Sequence, residues 1–491
     1  MANKPAENIN SAYNGRRIIY TAYDSITADN IIEVLTEALN IHALNRQQIN
    51  YLWNYYKGVQ PILSRIKNVN SEITNRIVEN HAYEIVTFQN GYLLGSPIQY
   101  VSRGDGHDEE ISLLNKYMDA EGKASDDVQM GVWMHVCGTS YRMALPDEEP
   151  EADDIPFELF VLDPRTTFIV YSSDIAHKPL LAATIVQNAD GQNVYSCYTK
   201  NHFWKIIENQ IVESRQTLLN DLPIIEYPLN PERMGAFERV LPLLDAINQT
   251  ASDRQDGIDQ FVQALLVFKN VDINVEQFNE IRELGGLKIS DITPDRRADV
   301  EYITNELNQS QTQTLIDHEY ETVLRICGIP NRNMQKGGTS DNGLAVELRD
   351  GWSAAETHAK ATELMFKEAE KLFLKLVLGI CRRVSSELDM RESDVDIRFT
   401  RRNYDNILTK SQTLITMLAS DKIHPRLAFE HSGMFIDPEL AYQESMKWFE
   451  EHQYDDESEG SVDANNSEGS GNYTDNRQDS VGTQESGRTE D

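Results

Sequence analysis

The stretch LAVELRDGWSAAETHAKATELMFKEAEKLFLKLVLGI, Leu344 to Ile380, carries the longest helical pattern in the chain. Leu344, Leu348, Trp352, Ala355, Ala359, Thr362, Phe366, Ala369, Phe373, Leu376 and Ile380 step by alternating fours and threes. That spacing lays one apolar seam along a helix, with Glu and Lys on the other faces. The pattern predicts a helix from about Asn342 to Ser386, which at 1.5 Å per residue would span roughly 68 Å. Gly351 is the expected bend. A seam of that length needs a partner, and the expectation is that neighbouring copies supply it in a closed ring.

Working outward, IPNRNMQKGGTSDNG (Ile329–Gly343) is loop material. Upstream of it, Gly235 to Gln260 is helical, with Phe237, Val240, Leu241, Leu244, Ile247 and Ala251 on one face. Pro242 implies either a kink or a helix start just before it. An apolar β-type run (Val262–Lys269), a short helix (Val275–Leu284) and two short strands (Leu287–Ile289, Val300–Thr304) follow. A second helix from about Asn305 to Ile326 is stopped by Gly328 and Pro330. Two helices thus flank a small α/β insert, and a hairpin of helices with a small tip is the simplest geometry. Downstream of the long helix come a strand (Val395–Thr400) and two helices (Asn406–Ser420, Pro438–His452).

The N-terminal part reads as an irregular start, a helix over Thr27–Asn40 and a second over Leu44–Lys57 ending at Gly58. A mixed helical run follows in Asn75–Ser102, with a turn at Gly91 and Gly95 and a short strand at Ile98–Val101. Residues 131–227 read as strands and loops, with β-type runs at Phe157–Leu162, Thr167–Tyr171, Leu181–Gln187, Val194–Thr199 and His202–Ile207.

The chain of 491 residues has 79 acidic and 45 basic side chains, a net charge of −34. Gripping nucleic acid by its phosphates is mostly Lys/Arg work, so this balance excludes a DNA-clamping protein but not one that surrounds DNA without sticking to it. The last 38 residues, from Tyr454, hold 11 acidic and 2 basic side chains and almost nothing apolar. They cannot offset the entropy of ordering and are expected to be disordered. Cys137, Cys197, Cys327 and Cys381 form no C-x-x-C pair, which predicts buried reduced thiols rather than zinc ligands. The start MANKPAENIN is polar, so no secretion signal is expected, and Leu372–Ile380 is too short to cross a membrane.

Catalytic signatures are missing. Lys336-Gly337-Gly338-Thr339-Ser340 has its lysine on the wrong side for a phosphate cradle. His135, Cys137 and Ser140 read as buried strand residues, and Asp105, His107, Asp108, Glu109 and Glu110 as a solvated turn that misses calcium-loop spacing. No catalytic residue, metal ligand or cofactor is expected. The acidic loop PDEEPEADDIP is a surface loop. A structural or assembly protein is favoured over an enzyme.

Four segments in order resemble the phage portal protein family, the ring-forming head–tail connectors, and most closely the branch from long-tailed phages of Gram-positive hosts. They are NRIVENHAYEIVTFQNGYLLGSPIQY (Asn75–Tyr100), ERVLPLLDAINQTASDRQDGIDQFVQALLVFKN (Glu238–Asn270), GIPNRNMQKGGTSDNGLAVELRDG (Gly328–Gly351) and the Phe399–Glu451 region. The third departs slightly from the family's S-G-x-A-L, having Asn342-Gly343-Leu344-Ala345. The rival readings are another phage structural protein of tail or baseplate, or a nuclease.

The resemblance implies an α+β, mainly helical, elongated subunit assembled into a ring. Its parts would be an irregular arm (1–26), a wing (27–234), a first stem helix (235–261), a clip (262–304) and a second stem helix (305–328). A tunnel loop (329–343), the long helix with a wing strand (344–400), a crown (401–453) and a disordered acidic tail (454–491) would complete it. It implies a dodecamer through which double-stranded DNA is packaged and ejected without sequence specificity. The partners it implies are terminase large subunit, head–tail adaptors, major capsid and scaffolding proteins, and no membrane. The location is the portal vertex of the virion, after assembly in the host cytoplasm. Tunnel-loop residues facing DNA would be Arg332, Lys336, Gly337, Gly338, Asn342 and Gly343, with Lys336 the principal cation. Clip residues meeting terminase or connector would be Val275, Phe278, Arg282, Lys288, Arg296 and Arg297. Gly235–Gln260 has five acidic and two basic residues and Asn305–Ile326 four and one, so both stem helices are expected to form a DNA-repelling wall.

Overall fold

The computed structural model describes residues 15–67, 71–104, 106–147, 155–217, 219–262, 265–269, 299–303, 309–331, 351–384, 388–401, 407–420, 422–435 and 438–458. The chain divides into two compact units, residues 1–407 and 408–491.

In the first unit, a short strand β1 (Ile19–Thr21) precedes helix α1 (Ile31–Tyr56). Two helices were expected here, but nothing in Ile41-His42-Ala43 breaks the turn pattern, and one helix of 26 residues runs through. Gly58, at φ +89°, follows its end. Helix α2 (His81–Leu94) includes Gly91 and stops at Gly95, so the expected turn narrows to its second glycine. Strand β2 (Gln99–Ser102) leads to α3 (Asp108–Ala120) and α4 (Lys123–Cys137). Both helices replace expected loop and strand. The Val, Trp and Gly content of α4 reads as β or turn, and its packing against α1 and α2 overrides it.

The strand-rich part then unfolds as β3 (Thr139–Pro146), β4 (Phe157–Leu162), β5 (Thr167–Ser172), β6 (Pro179–Gln187), β7 (Asn193–Tyr198), β8 (His202–Ile207), β9 (Gln210–Gln216) and β10 (Ile224–Pro228). One sheet has the order β1-β5-β6-β7-β8-β9, with β1 parallel to β5 and the rest antiparallel. Val34, Leu35 and Ala38 of α1 cover its face over Phe168, Val170, Leu181, Trp204 and Ile206. A second sheet runs β10-β3-β4.

A single 3-10 turn (Glu238–Val240) leads into α5 (Leu241–Val262), so Pro242 sits in the first helical turn, where its missing N–H costs nothing. Strands β11 (Leu265–Lys269) and β12 (Asp299–Ile303) pair antiparallel, from Leu265 opposite Ile303 to Lys269 opposite Asp299. Helix α6 (Gln309–Cys327) returns along α5. The long helix α7 covers Trp352–Val384, 33 residues or about 50 Å. Gly351, the expected bend, sits just before it at φ +87°, in the left-handed region, and the expected stretch from Asn342 to Asp350 lies outside the described residues. Strand β13 (Val395–Arg398) pairs antiparallel with β2.

The seam of α7 is buried within its own subunit. Ala355, Ala359, Phe366, Ala369, Phe373, Leu376 and Ile380 are at most 8% exposed, and from Ala359 on they pack with residues of α2, α3, α4, β3 and β10. The apolar face of α5 is likewise covered, by α1, α2 and α6. The expectation that these described seams wait for neighbouring copies is therefore corrected: sequence periodicity shows that a face is buried, not by whom.

The second unit contains α8 (Ile407–Leu418), α9 (Pro425–Ser432), not anticipated from sequence, and α10 (Pro438–Ser458). Helix α10 continues five residues into the stretch expected to be disordered tail. The acidic loop at 148–154, the inner clip elements and residues 332–350 lie outside the described residues.

Candidate functional site

The residues expected to face DNA or docking partners (Arg332, Lys336, Gly337, Gly338, Asn342, Gly343, Val275, Phe278, Arg282, Lys288, Arg296, Arg297) all lie outside the described residues. The β11–β12 ribbon brackets residues 270–298, bringing Lys269 and Asp299 opposite each other. Below it α5 and α6 form an antiparallel hairpin. The Arg254 guanidinium donates to Gln313 at one end, and the Cys327 thiol points at the Ala236 carbonyl, 3.8 Å away, at the other.

Gly328 ends α6 at φ +65°, and the ring of His358 on α7 occupies the space a Cβ would need. Bare backbone here lets α6 meet α7 closely. A groove of about 400 Å³ opens at this junction, lined by Phe88, Tyr92, His135, Ala355, Leu364 and Met365 among others. Its His135 is fully buried and its pKa falls to about 4, because burial disfavours the imidazolium.

Stem helix α5 is tied to the preceding segment by a ladder of side chains. Asn248 Oδ1, Ser252 Oγ and Asp256 Oδ1 accept the backbone N–H groups of Glu79, Ile77 and Asn75, at 2.7, 2.9 and 2.7 Å. Four residues of helix rise about 6.0 Å and two residues of extended chain about 6.6 Å, so the two periods match over three rungs running in opposite directions. Asp256 also takes Lys67 Nζ at 2.8 Å and Asn75 Nδ2 at 2.9 Å. Burial opposes its charge, but Lys67 and the Asn75 donors outweigh that and hold its carboxyl below the usual range.

This ladder changes the electrostatic picture of the stem. All five acidic residues counted in the first stem segment have partners inside the subunit. Glu238 meets Arg16 at 2.6 Å, Asp245 the Tyr55 hydroxyl at 2.9 Å, and Asp259 takes Asn75 Nδ2 at 2.7 Å. Asp253 pairs with Arg65 and Asp256 with Lys67. The expected acidic wall is corrected for α5, since most of its charge is compensated at home. Helix α6 instead exposes a broad face that includes Thr314, Leu315, Asp317, His318 and Arg325.

Helix α7 is locked to α4, β2, β3 and β10 by a buried charge cluster. The Glu370 carboxylate receives Lys123 Nζ at 2.8 Å, Tyr227 Oη at 2.7 Å, Tyr100 Oη at 2.5 Å and, more loosely, Arg142 Nη1 at 3.5 Å. Asp127 closes the ring by bonding Lys123 at 2.7 Å and also Arg142. The cluster joins α4, β2, β3 and β10 to α7, with Phe373 lying under both cations. Burial works against Glu370's charge, and Lys123 and Arg142 reverse it, so its pKa is lowered. The same environment pushes the Tyr100 and Tyr227 hydroxyls well up. Perturbed groups can mark active sites. Here two cations balance two anions with no side chain more than 4% exposed, so no substrate can reach them, and the cluster acts as a fastener. Sequence reading missed it, although Glu370 sits four residues after Phe366 and three before Phe373, a carboxylate on the buried face.

All four cysteines are free and buried. Among the described residues no group of His, Cys, Asp and Glu is placed to hold a metal, and no helix is long and apolar enough to cross a membrane.

The family model described as phage portal protein, SPP1 Gp6-like, matches residues 36–458. Among solved structures, one described as the neck of a native GTA particle computed with C12 symmetry aligns at 11% identity and a TM-score of 0.42. It covers 72% of this chain and 89% of that one. No curated protein matches the chain.

Proposed function

This chain belongs to the SPP1 Gp6-like family of phage portal proteins, and from that premise we propose how its parts share the work of a portal. The protein is a structural component of the phage capsid with a portal function, and the family is not generally enzymatic. Copies close into a ring of twelve around an axial channel. Double-stranded DNA enters through it during packaging and leaves through it at ejection. The terminase large subunit, and later the head–tail adaptors, dock on the clip (262–304) through Val275, Phe278, Arg282, Lys288, Arg296 and Arg297. Residues 329–343 line the narrowest ring, where Lys336 and Arg332 meet phosphate and Gly337, Gly338, Asn342 and Gly343 shape the loop. Capsid and scaffolding proteins surround the ring, which is assembled in the host cytoplasm.

The observation that supports this reading is the family match across 36–458, which spans the α5–α6 hairpin, the clip base and the long helix. The charge compensation of α5 leaves α6, with its exposed Asp317, as the stem surface that keeps DNA from adhering. Packaging reactions with purified terminase and proheads carrying this protein test the whole proposal. DNA uptake that needs the ring and external ATP turnover by terminase is the expected result. ATP hydrolysis or DNA cleavage by the repurified ring alone would overturn it.

A further inference from the structure

The described residues of the second unit bury little of their apolar content. Among its described residues, Leu414, Ala428 and Phe429 are the buried apolar ones, with Met417, Phe435, Ala441 and Tyr442 packed beside them. Against these stand Ile415 (66% exposed), Leu418 (42%), Trp448 (59%) and Phe449 (51%), among others. In α10 the imbalance has a direction. Ala441 and Tyr442 face the small core, Tyr442 edge-on to Phe429 at 5.8 Å. The two helical rows that begin there, Ala441-Ser445-Trp448-His452 and Tyr442-Met446-Phe449, continue the same face. Yet every residue from Gln443 to His452 is exposed. The packing seam runs past the end of its own core.

Resting on the ring reading above, we propose that the Met446–Trp448–Phe449 end of α10 packs on the Ile415–Leu418 face of α8 in the next copy around the ring. Two arguments select that occupant. Charge is one: Pro438–His452 carries four Glu against one Lys, whereas Ile407–Ser432 carries three Lys or Arg against two Asp or Glu. An α10–α10 contact would set like charge on like, and an α10–α8 contact does not. Geometry is the other. A knob and a socket at different places on one subunit make a head-to-tail contact, the kind that closes into rings. A pairing of the same patch with itself would stop at dimers.

The test uses the full chain in two variants, Trp448→Glu/Phe449→Glu and Ile415→Glu/Leu418→Glu, with circular dichroism to check that both remain folded. Sedimentation over a concentration series reads ring dissociation. Each variant alone should dissociate at a concentration at least tenfold above wild type. An equal mixture should recover part of that loss, because a sound α10 then meets a sound α8 at alternate junctions. Variants that hold rings as tightly as wild type would overturn the contact. So would a mixture no better than its parts, which is also the outcome if the seam serves a scaffolding protein instead. A wild-type chain that forms no ring at all would defeat the ring reading itself, a result distinct from either.

Discussion

The carboxylate of Glu370 on the long helix lies 2.8 Å from the ammonium of Lys123 on α4, and both side chains are buried. That pair fixes where α7 sits against α4. A helix seam made of Ala, Phe, Leu and Ile can slide by a turn and still bury oil. A carboxylate held by two cations and two phenols cannot.

Removing the Glu370 charge should therefore cost far more than removing a surface pair. Glu370→Gln leaves Lys123 and Arg142 buried against a single remaining anion, and a loss of about 3–5 kcal/mol is expected. Urea denaturation of the isolated chain measures it. Lys123→Gln on top of Glu370→Gln should cost less than the sum of the singles, since the two share one interaction.

The ladder on α5 predicts an exchange pattern. Backbone amides of Asn75, Ile77 and Glu79 should exchange slowly, because Asp256, Ser252 and Asn248 hold them. Ser252→Ala should speed exchange at Ile77 and destabilise by about 1–2 kcal/mol, the penalty of an unpaired donor. Unchanged exchange at Ile77 would mean the rung does not exist in solution.

Stability should fall on both sides of neutrality. His42 and His135 are kept neutral by burial, with pKa values lowered from 6.5 to about 4. As pH drops through 6.5 the unfolded chain takes up protons that the folded chain refuses until about 4. Up to about 3 kcal/mol per ring is lost across that window. His81 works the other way. Burial opposes its charge, but Glu79 and Glu84 raise its pKa to about 9. Its contribution is complete below 6.5 and disappears as pH rises through 9. Urea midpoints from pH 4 to 10 should trace a dome, and His135→Gln should flatten the acid limb.

Much of this architecture was legible in the sequence. The five β-type runs between Phe157 and Ile207 match strands to within two residues, and of the kink and the start that Pro242 allows, the structure has the start, at Leu241. The failures share one cause. Period 3.6 shows that Phe366 and Phe373 face something, but a pattern along one segment does not name its partner. So the period alone cannot tell that α2–α4, β3 and β10 cover the α7 seam, nor that Lys67 neutralises Asp256 on α5. Val132, Trp133 and Val136 of α4 favour strands locally, and packing on α1 and α2 makes them helical.

Replacing Gly337 and Gly338 by Val separates two roles for the loop before α7. Rings of normal size with DNA packaging blocked, or packaged DNA leaking, is the expected outcome if copies of the loop meet around DNA. Packaging at the wild-type level by well-formed variant rings would remove the loop from the mechanism.

The central claim is that this chain closes into a ring. Native mass measurement of the purified protein at micromolar concentration addresses it directly. The expected particle is a single closed assembly near 670 kDa, about twelve copies of the 56.0 kDa chain, with an axial hole in negative-stain images. A monodisperse species of 56.0 kDa under the same conditions would contradict it.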